Sequence, residues 1–287
     1  MKPGCNGCIV SGSDAKSVIV IGVHNNTVRR LYGPALIDME PHTMKHKLTS
    51  TLAILAVFGC LASVANACKH NAAVDDKAHM AEKDFTVLFD GSSTEHFRGY
   101  KQDGFPDTGW KVEEGTIRVI GKTKGAGDII TKEQYSDFDL RWEWKVAKGA
   151  NSGVMYRVEE GSGRTYKTGP EYQILEDANH RDGKNPKTSA GALYALIECN
   201  EKKALEPIGS WNSSRLVIQD GNVQHYLNGE LVVEYVWGSD EIKELIAGSK
   251  FKKWGEFMTK DKGHIAFQYH NDDVWYRNIR IKDLSSK

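Results

Sequence analysis

The chain has 287 residues, enough for one large domain or two modest ones, and its 38 Lys+Arg are balanced by 38 Asp+Glu. A formal net charge of zero excludes the basic footprint of a nucleic-acid binder and offers no electrostatic route to an anionic membrane. With 40% hydrophobic and 26% charged residues the composition is globular. Cys5, Cys8, Cys60 and Cys68 all precede residue 70, so Cys199 stands alone in the remainder, which must rely on a core rather than on disulfides.

In chain order, Cys5 and Cys8 form a C-x-x-C, but no second pair follows at zinc-site spacing. Met44-Lys-His-Lys then opens a basic segment, residues 52–64 are almost wholly apolar, and Ala65-Asn-Ala67 is a small-x-small cleavage site. This is the layout of a secretory signal peptide, with an apolar run too short to span a membrane. Residues 1–43 are accordingly expected to be a mis-assigned upstream extension, with translation starting at Met44, residues 44–67 the signal and residues 68–84 a polar, Ala-rich tether. Cys68 and Cys60 are the candidates for a lipid anchor; a soluble periplasmic product cut after Ala67 is the alternative. Either outcome is an exported bacterial protein.

From Phe85 the pattern is that of a β protein. Strands are predicted at Phe85–Phe89, Gly115–Ile120, Phe138–Val146, Gly153–Val158, Glu171–Leu175, Ala192–Ile197, Ser214–Gln219, Asn222–Leu227, Leu231–Tyr235, His264–Tyr269 and Val274–Lys282. Asp220-Gly221 and Asn228-Gly229 sit between apolar runs as hairpin turns. Asp240–Ala247 reads as the one helix, with Ile242, Leu245 and Ile246 on one face. About ten strands and one short helix imply an all-β fold, a two-sheet sandwich or jelly roll.

Alternation splits each strand into an apolar and a polar face. Phe138, Leu140, Trp142 and Trp144 oppose Asp139, Arg141 and Glu143; Val154, Tyr156 and Val158 oppose Met155 and Arg157, with Asn151 in phase with the latter. Tyr172 and Ile174 oppose Glu171, Gln173 and Asp177, and Ile265, Phe267 and Tyr269 oppose His264, Gln268 and His270. A solvated sheet face favours Lys, Glu and Thr, whereas Asn151, Arg157, Glu171, Gln173, Gln268 and His270 supply the directional donors and acceptors that sugar recognition needs. Glu143 and Tyr194 complete the candidate binding set. Glu171 and His270 are the candidate catalytic pair, because a carboxylate and an imidazole can divide acid and base work. Glu171 and Asp177 share a face but stand about 20 Å apart on an extended strand, too far for the two-carboxylate chemistry of ordinary glycosidases. No H-x-H, H-E-x-x-H or EF-hand pattern is present.

Several motifs occur in order along the chain: Val87-Leu-Phe-Asp-Gly, Asn151-Ser-Gly-Val-Met-Tyr-Arg, Gly169-Pro-Glu-Tyr-Gln-Ile-Leu-Glu-Asp, Gly191-Ala-Leu-Tyr, Trp211-Asn with Arg215, His225-Tyr-Leu-Asn-Gly, and Gly263-His-Ile-Ala-Phe-Gln-Tyr-His followed by Tyr276-Arg-Asn-Ile-Arg-Ile. Through them the span from about Phe85 to Leu284 resembles the 3-keto-disaccharide hydrolase family. The resemblance implies a concanavalin-like jelly roll acting on glycosides oxidised to a ketone at sugar carbon 3. It implies proton abstraction at carbon 2, elimination of the aglycone and readdition of water, with Glu171 or His270 as base, and Arg157 or a bound divalent cation on the enolate. Gln173, Asn151 and Gln268 would orient the sugar. Tyr269 stands where the family often has Asp; its core-facing phase implies a change of packing rather than of chemistry. A non-catalytic carbohydrate-binding module on the same fold is the alternative reading.

Overall fold

The computed structural model describes residues 84–161 and 163–285, with four two-residue strands nearer the N-terminus. Those four form two separate antiparallel pairs, β1 (Ile9–Val10) with β2 (Ile19–Val20) and β3 (Val23–His24) with β4 (Thr27–Val28). The signal-peptide and lipid-anchor expectations, Cys60 and Cys68 included, and the tether up to residue 83 lie outside the described residues.

The unit from Cys68 onward carries two antiparallel sheets. The larger orders β15 (Glu230–Val236), β14 (Asn222–Leu227), β13 (Asn212–Gln219), β10 (Phe138–Val146), β17 (Val274–Asp283), β8 (Thr116–Val119) and β7 (Trp110–Glu113), with β5 (Thr86–Phe89) also paired to β17. The smaller orders β12 (Glu171–Leu175), β11 (Asn151–Val158), β16 (His264–Phe267), β9 (Ile129–Thr131) and β6 (Phe97–Gly99). One helix, α1 (Asp240–Ala247), is capped by Ser239, whose side chain accepts from the Ile242 N–H. This is the expected two-sheet jelly roll. Among the described residues no helix is long and apolar enough to cross a membrane.

The apolar faces meet between the sheets. Trp142, Trp144, Tyr156, Tyr172, Phe267 and Tyr276 are all buried there, and Trp142–Tyr172 and Phe267–Tyr276 pack edge to face across the core at 5.1 and 5.0 Å. Their polar tips are paired: Trp144 Nε1 donates to Ser214 Oγ, Ser214 to the Tyr172 hydroxyl, and the Tyr276 hydroxyl to Ser152 Oγ. Asn228 and Gly229 both take positive φ (49° and 88°), the mirror-image turn that a twisted two-residue hairpin requires.

Two expectations fail locally. Ala192–Ile197 is not a strand: Ala195 has φ 59° and Leu196 N–H turns back to Leu193 O, so the segment wraps the edge of β12, touching it through one isolated Tyr172–Leu193 bridge. In β11 the register slips between Met155 and Val158, with Arg157 at φ 52°. This bulge reverses the alternation, so Val158 joins Met155, Ile130 and Ala266 in a satellite cluster instead of entering the main core with Val154 and Tyr156.

Candidate active site

The smaller sheet turns its outer face towards three segments that are not part of it: a 3-10 turn at Thr165–Lys167, the 188–194 wrap, and a second 3-10 turn at Lys250–Lys253 with the loop after it. Between them lies a cavity of about 370 Å³, within the size range of small-molecule sites. Its polar wall is Asn151, Glu171, Gln173, Gln268 and His270; its other wall is aromatic, with Tyr166, Tyr194, Phe251, Trp254 and Phe257, and Lys250 at their side.

The polar wall is held from behind. Gln268 N–H donates to Gly153 O, and the Gln268 carbonyl accepts from Ser152 Oγ, itself held by Tyr276 from the other sheet. Gln173 Nε2 donates to Thr188 O at 2.9 Å, which aims its carbonyl oxygen the other way. As a result Asn151 Oδ1, Gln173 Oε1 and Gln268 Oε1 are all buried with no hydrogen-bond partner. Three orphaned acceptors in one cavity are costly to folding, and they suit a ligand bearing several hydroxyl donors.

Glu171 is 8% exposed. Its carboxyl is pushed up to about 8, first by burial and further by the charges of Asp128 and Asp182; the Lys250 ammonium and the Gln268 side chain pull the other way. Asp128 is itself raised by burial, and accepts from Thr165 Oγ1 and from Tyr269 N–H. His270 sits at the mouth with its side chain about half exposed, 3.8 Å from Asp272, whose other contact is the Asn151 N–H. Tyr194 is anchored to the base by its own N–H, which donates to Glu171 O at 3.0 Å.

Two candidates lie elsewhere. Arg157 is turned by the β11 bulge onto Ser136 O and Asp137 and stacks on Trp237 at 4.4 Å, away from the cavity. Glu143 belongs to the outward face of the larger sheet, where it accepts from Arg277 and Asn278. Asp177 is occupied by Lys203. Among the described residues no group of three or more His, Cys, Asp or Glu side chains gathers as a metal site. The cavity offers one carboxyl, already faced by an ammonium, and this donor set does not fit a divalent cation. Tyr269 donates to Ile120 O and packs on the core, as its strand phase implied. Lys250, Tyr166, Trp254, Phe251 and Phe257 were not legible as site residues, although the aromatic run Phe251-Lys-Lys-Trp254 after the helix was the available signal.

Fold and cavity together define a jelly-roll protein with an acceptor-rich, aromatic-walled pocket on one sheet. A family model for the 3-keto-alpha-glucoside-1,2-lyase-like domain matches residues 84–282. A protein of Bacteroides thetaiotaomicron named 3-keto-disaccharide hydrolase is 34% identical over 229 residues, 70% of this chain and 78% of that one. A solved Parabacteroides distasonis structure, of a candidate glycosyl hydrolase, superposes with a TM-score of 0.65 at 32% identity, covering 71% of this chain and 96% of its own. A second from that organism, at 24% identity and TM-score 0.53, covers 70% and 99% and shares the fold. The chain belongs to the 3-keto-alpha-glucoside-1,2-lyase-like, or 3-keto-disaccharide hydrolase, family.

Proposed function

We propose that this protein cleaves glycosides that carry a ketone at sugar carbon 3, with Glu171 as the base that takes the proton from carbon 2. The observation that carries this reading is the Glu171 carboxyl, buried, raised to about 8 and without a second carboxylate lining its cavity. A carboxylate with so high a pKa is a stronger base than an ordinary one, as proton abstraction beside a carbonyl demands. A retaining or inverting glycosidase needs a paired carboxyl instead.

In this chemistry the C2–H bond breaks, its electron pair forms the C2=C3 bond of an enolate, and the proton goes to Glu171. When the carbonyl reforms, the C1–O bond breaks and the aglycone leaves with a proton; the position of His270 at the solvent-facing mouth supports it as the donor. Water then adds across the C1=C2 bond, carbon 2 regains a proton, and the net result is hydrolysis. Asn151, Gln173 and Gln268 accept the sugar hydroxyls, and Tyr166 and Trp254 flank its apolar face.

The test is incubation of the protein with 3-keto-glucosides and with the unoxidised parents, with products followed by mass spectrometry. Cleavage confined to the keto forms supports the reading. Saturable binding of sugars without turnover of either set would replace it with the binding-module alternative. The basic, apolar and small-x-small succession at residues 44–67 supports an exported protein; a mature chain in the bacterium that retained residues 44–67 would overturn that part.

A further inference from the structure

Removal of the carbon 2 proton places negative charge on the ketone oxygen, and the polar wall, Asn151, Glu171, Gln173, Gln268 and His270, contains no Lys or Arg to meet it. Its Glu171 carboxylate and three orphaned amide oxygens are acceptors that repel an enolate. Arg157, the cation the family resemblance implied for the enolate, is turned away onto Ser136 and Asp137. Of the residues lining the cavity, Lys250 is the one Lys or Arg.

Its placement is specific. Lys250 opens the 3-10 turn Lys250–Lys253, whose preceding Ser249 caps the Phe251 N–H, and its Nζ stands 4.2 Å from the Tyr194 ring centroid. Tyr194 in turn donates its N–H to the carbonyl of Glu171. A short chain of contacts therefore ties the ammonium to the residue carrying the base. We propose that Lys250 is a catalytic residue, the electrophile whose ammonium takes up the charge on the ketone oxygen while Glu171 holds the proton from carbon 2. The assignment rests on the 3-keto-glycoside reading above. The step balances without another reagent: the C2–H pair becomes the C2=C3 bond, the carbonyl pair moves to oxygen beside the ammonium, and the proton rests on Glu171.

The decisive measurement isolates this half-reaction. A 3-keto-1,5-anhydroglucitol has the ketone and the carbon 2 proton but no aglycone, so the full-length protein in D2O exchanges protons without releasing one, and NMR follows exchange at carbon 2 separately from that at carbon 4, the other position beside the ketone. Lys250→Met is expected to slow exchange by about 100-fold or more, the usual loss when one oxyanion donor is removed. Its KM should stay within a few-fold and its melting temperature unchanged, because Lys250 is exposed. Lys250→Arg, which keeps charge and ring contact, should recover part of the rate. The pH profile gives a second readout. Glu171 faces Lys250, Asp128, Asp182 and the Gln268 amide, so loss of Lys250 alone should move the Glu171 limb to higher pH. Wild-type exchange rates in Lys250→Met, with keto-glycoside cleavage intact in the parent, would overturn the assignment and leave the function standing. Failure of the parent protein to exchange or to cleave any keto substrate would overturn both.

Discussion

The carboxyl of Glu171 lies across the neighbouring strand at Gly153: a Cβ built on that glycine would stand 2.0 Å from Glu171 Oε1 and 2.6 Å from its Cδ. Gly153 pairs directly with Gln173 in the register of β11 and β12, and its carbonyl accepts from Gln268 N–H. The glycine is therefore the floor on which base and acceptors converge. Gly153→Ala is expected to fold, at a cost of about 1–3 kcal/mol for the overpacking. It should lose about 100-fold or more in kcat/KM, since misplacing a reacting group by an ångström has that effect. Steady-state kinetics beside a thermal melt separate the two, and near-native turnover would show that the carboxyl need not lie there.

The raised carboxyl of Glu171 predicts both a rate profile and a stability profile. As a base it must be ionised, so the rate of carbon 2 proton exchange, which needs no acid for a leaving group, should rise with pH and level off above about 8. For stability, the unfolded chain ionises this group near 4.5 and the folded chain only near 8, so stability is lost as pH rises across that window. Glu171→Gln removes the ionisation. Relative to the parent, its melting temperature should improve by several degrees between pH 5 and pH 8.5 while turnover collapses. A constant difference between the two melts would contradict the buried, neutral carboxyl.

The aromatic wall should act on binding more than on chemistry. Tyr166 and Trp254 sit 5.5 Å apart, centroid to centroid, and Lys167 lies over Trp254 at 4.3 Å, so the pair is supported as a unit at the rim of the cavity. Replacing either by Ala removes stacking worth about 1 kcal/mol. That corresponds to a rise in KM of about five- to tenfold with kcat within a few-fold. An equal fall in kcat would place these rings against the reacting carbons rather than beside them.

The longer strands were legible because their alternation is strong. Phe138–Val146, Glu171–Leu175, Asn222–Leu227 and the helix Asp240–Ala247 have the bounds their patterns imply. The short strands at Phe97–Gly99 and Ile129–Thr131 span too few residues for a period to emerge. Arg157 was misplaced because a bulge inverts faces without changing composition, so a correct strand carried a wrong side-chain direction. Glu143 was a correct polar face on the wrong sheet. Lys250 and Trp254 lie about 80 residues from Glu171 in the chain, and only the tertiary fold brings their turn over the polar wall. Periodicity reads what a strand presents, but not which loop covers it.

Behind the site, His225 is enclosed between the sheets with 0% exposure, and its two nitrogens have fixed roles. Gly191 O can only accept, so Nδ1 carries the proton and donates to it at 3.0 Å. Nε2 must then accept from the Tyr156 hydroxyl at 3.0 Å, which leaves Tyr235 to donate to Tyr156 at 2.7 Å. Burial lowers the imidazole to about 4, so the folded protein keeps it neutral while the unfolded chain protonates near 6.5. Stability from this group is present above about 6.5 and is lost as pH falls towards 4. Tyr156→Phe strips Nε2 of its donor and should cost about 1–3 kcal/mol, the penalty of an unsatisfied buried acceptor. Gly191, held by His225, also donates its N–H to Gln173 O, but Tyr156 is not among the residues that line the cavity, so kcat should stay within a few-fold of the parent. Denaturant titrations from pH 7 to 4.5 beside activity at pH 8 test both halves: a variant as stable as the parent would break the hydrogen-bond chain, and one that is stable but inactive would make the buried triad part of the catalytic machinery.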